Sequence, residues 1–202
     1  LQPWFGVTKV GLELFSAAGP DAIGALADAG FGVFVDLKLL DIPTTVHRAS
    51  RVLGSLGARY LTFHARGDLA MLRAGVEGLV EGAAAARLPT PHPLAVTVLT
   101  SDDTAPDHIV PHRIALAVEA GCSGVVCAAA DVRQAKTLAP RLLAVVPGIR
   151  PADSPVHDQA RAATPREALD AGADLLVVGR AVTAAADPVA AAAALAEELS
   201  RP

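Results

Sequence analysis

Short β-branched runs alternate with Ala-rich helical patterns along almost the whole chain, and several helical stretches end in Gly just before the next strand. Strands are expected at Val7 to Leu14, Phe31 to about Lys38, Arg59 to His64, Leu94 to Thr100, Gly124 to Ala128, Leu143 to Ile149 and Asp174 to Gly179. Helices are expected at Pro20 to Ala29, Pro43 to Leu56, Asp68 to Arg87, Ile114 to Ala120, Val132 to Leu138 and Asp187 to Leu199. A further helix opens at Thr164-Pro165-Arg166-Glu167, which has the spacing of a capping box, after a polar loop from Arg150 to Ala163. Strands separated by helices cannot close as hairpins, so they cross over right-handedly and pair in parallel. This regularity leaves an α/β fold, built as a closed barrel or as a doubly wound open sheet. The open sheet normally carries a Gly-rich fingerprint after its first strand, and none is present here.

A closed barrel of this kind has eight βα units over roughly 200 to 400 residues. Seven units are legible in 202 residues. The expected fold is therefore a single (β/α)8 TIM-barrel domain over residues 1–202, with its first βα unit missing and Leu1 to Gly6 as the tail of that unit's helix. On this reading the sequence, which starts at Leu1 without a methionine, is incomplete at its N-terminus.

Composition narrows the function. The chain is 52% hydrophobic but only 3% aromatic, which suits helices of small aliphatic side chains packed on strands. A net charge of -4 with no basic stripe argues against a nucleic-acid partner. Cys122 and Cys127 lie in an apolar segment without histidine partners, which is neither a zinc signature nor a disulfide framework and fits a reducing cytoplasm. No apolar run is long enough to span a bilayer, and no signal peptide is visible, so no membrane partner is expected.

Chemistry is expected where charged residues meet the strand ends, because barrels of this type work at the C-terminal rim of the sheet. Asp36 and Lys38 stand two apart on one strand, so alternation places them on one face. Asp41 follows just past the strand, and Pro43 stops the ladder and can open a helix. Lys9, His64, Thr100, Arg150 and Arg180 fall at or near other strand ends. His64 reads more readily as a core histidine bonded to backbone than as a ligand. Gly148-Ile149-Arg150 and Gly179-Arg180 take the places of the seventh and eighth strands of a full barrel, where the fold often binds phosphate. Glycine lets the backbone approach an oxyanion and arginine supplies a bidentate fork, so a phosphorylated small molecule is expected. Asp158-Gln159 offers an amide donor from the intervening loop. No metal constellation is evident; Asp36 and Asp41 could hold Mg²⁺, but Lys38 between them competes as the counter-cation.

Taken in order, Lys9-Val10-Gly11, Asp36-Leu37-Lys38-Leu39-Leu40-Asp41-Ile42-Pro43, Val96-Thr97-Val98-Leu99-Thr100-Ser101, Pro147-Gly148-Ile149-Arg150, Asp158-Gln159, Thr164-Pro165 and Val178-Gly179-Arg180 resemble the ordinary bacterial branch of the orotidine 5'-phosphate decarboxylase family. The resemblance covers almost the entire chain. It implies cofactor-free decarboxylation of orotidine monophosphate to uridine monophosphate, with Lys38 as proton donor and Asp36 and Asp41 flanking it. It also implies a homodimer in which Asp41 reaches the partner's site. Lys9 would touch the ribose, Thr100 the pyrimidine, and Gln159, Gly179 and Arg180 the phosphate, with Arg150 beside them and Thr45 in the same binding segment. Two departures stand out: the family's ribose-binding Asp belongs to a strand that would precede Leu1, and Thr44 stands where Asn is usual. The competing readings are a related barrel acting on keto-hexulose or gulonate phosphates with Mg²⁺ at the acidic pair, and a nucleotide-binding module without activity.

Overall fold

A computed structural model describes residues 1–150 and 162–200. Strand β1 (Val7–Gly11) leads into α1 (Leu12–Ala18) and α2 (Asp21–Asp28), and β2 (Gly32–Leu39) into α3 (Pro43–Ser55). Then come β3 (Ala58–His64) with α4 (Leu69–Ala85), β4 (His92–Val96) with α5 (Ile109–Ala120), and β5 (Gly124–Val126) with α6 (Ala129–Leu138). Last are β6 (Leu143–Ile149) with α7 (Pro165–Asp170), and β7 (Leu175–Val178) with α8 (Arg180–Thr183) and α9 (Pro188–Ser200). The seven strands form one sheet in sequential order, and every neighbouring pair is parallel.

The sheet curls into an open barrel. Val7 of β1 and Leu175 and Val177 of β7, at its two edges, join one apolar cluster with Phe34, Tyr60, Leu94, Val96, Val126 and Val145. Their strand neighbours, among them Val33, Val35, Leu61, Phe63, Ala95, Val125 and Val146, belong to the larger cluster that includes residues of the surrounding helices. This period-two division is what a parallel sheet coated by helices demands. Among the described residues β1 and β7 are not hydrogen-bonded to each other. Trp4 and Phe5 instead pack against Val182, Ala192 and Leu195 of α8 and α9 on that side. Residues 1–5 form one hydrogen-bonded turn, with the Trp4 and Phe5 N–H groups donating to the Leu1 carbonyl.

Several expected boundaries move for identifiable reasons. The first strand stops at Gly11 rather than Leu14, because Gly11 opposite Asp36 is its last pair before β2 changes course. Leu12 and Leu14 therefore enter α1, where Leu12 is exposed. The fourth strand stops at Val96 rather than Thr100, since its partner β5 ends at Val126. Beyond it, Thr97 donates once more to Val126 and the Asp102 N–H closes a turn on Leu99. That same short β5 ends before the expected Ala128, and α6 starts at Ala129 rather than Val132. Helix α5 starts at Ile109, not Ile114; Pro111 lies in its first turn, where a missing N–H leaves no helical bond unmade. The short helix α8 has no counterpart in the sequence reading. The capping box forms as expected: Thr164 Oγ1 accepts from the Glu167 N–H at 3.2 Å, and Glu167 Oε2 accepts from the Thr164 N–H at 2.8 Å.

Helices α3 and α4 touch backbone to backbone. A Cβ at Gly54 would lie 2.3 Å from the Leu79 carbonyl oxygen, one at Gly78 would lie 2.2 Å from that of His47, and one at Gly82 would lie 2.0 Å from that of Arg51. Three glycines along one seam thus fix the distance between the two helices, and α3 begins directly after the charged segment of β2.

Candidate active site

The upper end of β2 departs from regular strand. Val35 pairs with Leu61 and Leu39 with Phe63, so Asp36, Leu37 and Lys38 on β2 stand opposite Thr62 alone on β3. Lys38 takes the left-handed conformation, with φ 52°. For a non-glycine residue this costs roughly 1–3 kcal/mol, and such strain, like bulges themselves, concentrates next to functional sites. Simple alternation was therefore the wrong route to a correct pairing. Asp36 and Lys38 do meet, Nζ donating to Oδ1 at 2.8 Å, but across a bulge. Lys9, on the neighbouring strand β1, brings its ammonium to 3.5 Å from Asp36 Oδ2. The Asp36 carboxylate, with its side chain 14% exposed, thus lies between two ammonium groups. Two steps along each strand below this array sit the apolar side chains Val7 and Phe34, so the charges cap the hydrophobic interior.

Lys9, Asp36 and Lys38 line a cavity of about 1370 Å³ that also reaches Thr100, Ser101, Pro147, Gly148, Ile149, Arg150, Gly179 and Arg180. The far wall is shaped by a second bulge. Val146 pairs with Leu176 and Ile149 with Val178, leaving Pro147 and Gly148 opposite Val177 alone, and Gly148 has φ 77°. Just past it the Arg150 N–H donates to the Ala163 carbonyl at 3.0 Å, and the Ala163 N–H donates to Gly148 at 3.2 Å. Gly179 precedes α8, and a Cβ placed on it would meet no atom within 4 Å. Its backbone therefore lies open, as close approach of an oxyanion requires. The arrangement sets a fixed cation beside a carboxylate at one wall and glycine backbone with two arginines at the other.

Other expected site residues lie elsewhere. Asp41 is exposed and outside the cavity walls, its Oδ1 accepting from the Ile42 N–H at 2.6 Å. Thr45 sits in the first turn of α3, exposed, with its N–H on the Ile42 carbonyl at 3.0 Å. Neither joins the array within one chain. Gln159 and Asp158 lie outside the described residues. His64 is half-buried, and its Nδ1 accepts from the Arg66 N–H at 3.2 Å, as a backbone-bonded histidine should. Burial, then the positive charges of Arg113, Arg66 and Lys38, hold its pKa below the ordinary value. Among the described residues no three His, Cys, Asp or Glu side chains cluster within reach of one metal ion. One residue of the site escaped the sequence reading: Thr62, whose signal was a hydroxyl in an otherwise apolar strand segment, Tyr60 to Phe63.

Residues 1–195 match the sequence model of the orotidine 5'-phosphate decarboxylase / HUMPS family. The chain belongs to that family. Among its family relatives, an orotidine 5'-phosphate decarboxylase of Moorella thermoacetica is 46% identical over 211 residues, covering 98% of this chain and 84% of its own length. One of Bacillus caldolyticus is 43% identical over 213 residues, covering 98% and 87%. The crystal structure of orotidine 5'-phosphate decarboxylase from Lactobacillus acidophilus superimposes with a TM-score of 0.76 at 35% identity, over 96% of this chain and 86% of that one. An uncharacterized conserved protein from Geobacillus kaustophilus superimposes with a TM-score of 0.80 at 36% identity, over 95% and 87%. The family's fold is thus the barrel expected from the βα repeat.

Proposed function

We propose that the chain decarboxylates orotidine 5'-phosphate to uridine 5'-phosphate, the last step of pyrimidine synthesis, without a cofactor. The observation that carries the reading is the Lys9–Asp36–Lys38 array facing, across one cavity, the backbone of Gly148 and Gly179. Phosphate is held at the glycine wall by Gly179 and Arg180, with Arg150 beside them, and Gln159, outside the described residues, is the further phosphate-binding residue of this reading. Thr100 contacts the pyrimidine, and the ribose lies over Lys9. The bond from the ring carbon to the carboxylate breaks, its electron pair remains on that carbon, and CO₂ leaves. The resulting carbanion is poorly stabilised, so an ammonium fixed beside it lowers the barrier electrostatically. Lys38 then delivers its proton to the same carbon, and solvent restores the lysine. Asp36 faces the departing carboxylate, while phosphate contacts remote from the reacting carbon supply binding energy to hold it there.

The working unit in this reading is a homodimer, with Asp41 and Thr45 serving the partner's site. Its support is the exposed apolar pair Leu40, 49% exposed, and Ile42, 66% exposed, on either side of Asp41. Neither nucleic acid nor membrane is needed as a partner; among the described residues no helix is long and apolar enough to cross a membrane. The reducing cytoplasm suits Cys122 and Cys127, which are buried and not disulfide-bonded.

Spectroscopic loss of orotidine monophosphate, compared between the parent protein and Lys38→Ala, tests the reading. Turnover should all but vanish in the variant while the circular dichroism spectrum is kept. A retained rate removes Lys38 from the mechanism. Activity only on a sugar phosphate and only with Mg²⁺, or tight uridine monophosphate binding without turnover, replaces the proposal by one of its rivals.

A further inference from the structure

The described residues include three fully buried polar side chains: Ser50, Thr62 and Thr97. Two of them do what buried hydroxyls ordinarily do and donate to backbone carbonyls, Ser50 to Val46 at 2.7 Å and Thr97 to Val126 at 3.0 Å. Thr62 does something else. Its Oγ1 accepts from the backbone N–H of Lys38 at 2.9 Å and donates to Asp36 Oδ1 at 3.1 Å. The same Oδ1 receives Lys38 Nζ at 2.8 Å. Backbone amide, hydroxyl, carboxylate and ammonium therefore close a ring that begins and ends on Lys38.

We propose that Thr62 is a positioning residue for the Asp36–Lys38 pair, holding the bulge of β2 in the one backbone conformation that aims the lysine at the reacting carbon. The inference rests on the decarboxylase reading for its catalytic consequence, but its structural content does not. The bulge removes Lys38 from the sheet ladder, so its N–H needs an acceptor from elsewhere, and Thr62 stands directly opposite the three bulged residues. Only a hydroxyl can both accept that N–H and donate to the carboxylate through a single atom. The β-branch also suits its place on β3 between the core residues Leu61 and Phe63. Without the hydroxyl, the left-handed backbone at Lys38 loses its tether and Asp36 loses the donor that orients it toward the ammonium. The phosphate wall is untouched, so binding should survive where chemistry does not.

Thr62→Val keeps the shape and deletes both bonds, whereas Thr62→Ser keeps the hydroxyl and deletes the methyl. In Thr62→Val, kcat for orotidine monophosphate should fall about 10- to 100-fold, the range for losing hydrogen bonds to charged groups, with KM changed less than about threefold. Thr62→Ser should recover most of kcat. Amide exchange at Lys38 should accelerate at least about tenfold in the valine variant and not in the serine variant, while Val33 to Val35 keep their protection. A valine variant with parental kcat, or equal losses in the valine and serine variants, overturns the inference. If the parent itself fails to turn over orotidine monophosphate, the functional reading falls, and exchange at Lys38 decides this one: unchanged exchange in Thr62→Val refutes it, and selective acceleration sustains it.

Discussion

Replacing one helical glycine by alanine should stabilise this protein in α2 and destabilise it in α4. In an unobstructed helix the change is worth about 1 kcal/mol in favour of alanine, through a less mobile unfolded chain and better propensity. Gly24 is such a site: it is exposed in α2, and a Cβ there would meet nothing within 4 Å. At Gly82 the new Cβ would lie 2.0 Å from the Arg51 carbonyl oxygen, 2.8 Å from its carbon and 3.0 Å from its Cα. All three are backbone atoms, so no side chain can swing aside. Ordinary contact requires the helices to part by more than about 1 Å, and overpacking of this kind costs about 1–3 kcal/mol. Set against the propensity gain, Gly82→Ala should be less stable than the parent by up to about 2 kcal/mol, or about 2–4 °C lower in Tm for each kcal/mol, and about 1–3 kcal/mol less stable than Gly24→Ala. Gly78→Ala meets the same seam at the His47 carbonyl, so one separation of α3 from α4 relieves both clashes and the double variant should lose less than the sum. Urea titration of the parent and the four variants at constant m gives the values. A Gly82→Ala protein as stable as Gly24→Ala would refute the claim that backbone contact sets the α3–α4 distance.

Three further outcomes follow from the geometry. A Cβ at Gly11 would sit 2.7 Å from Lys9 Nζ, so Gly11→Ala should push that flexible side chain off Asp36 and lower decarboxylation about tenfold, with Tm nearly unchanged; an unaltered rate would separate Lys9 from the array. Mixing inactive Lys38→Ala and Asp41→Asn proteins should restore activity at about a quarter of all sites if Asp41 serves the partner's site, and restore none if it acts within its own chain. His64 and His92 both have pKa values lowered in the fold, by burial first and then by arginines, so they bind protons more readily when unfolded. Their share of stability is complete above the ordinary histidine value of 6.5 and is lost as pH falls from there through their folded values. His92→Phe keeps the ring stacked on Tyr60, now 5.0 Å away, and should flatten this acid limb in denaturation measured across that window; an unchanged slope would exclude His92.

How much of this could be read without coordinates depended on the range of each interaction. The βα alternation, the Gly closures and the Thr164–Glu167 cap are local, because hydrophobic period and turn chemistry act within a few residues. Asp36 and Lys38 on one strand, and Gly148 and Gly179 at other strand ends, followed from the same local reading once the sheet was taken as parallel. Strand ends at Gly11 and Val96 did not, since a strand stops where its partner stops, and the partner is distant in sequence. The left-handed backbone at Lys38 is against local propensity and exists because Thr62, on another strand, supplies the acceptor that the ladder no longer provides. By itself the amino-acid sequence determined that Lys9, Asp36, Lys38, Gly148 and Gly179 would share the working rim, but it neither pointed to Thr62 nor placed Asp41 and Thr45. Folding decided how they meet, because register between strands, bulges and helix spacing are set by contacts that no single segment contains.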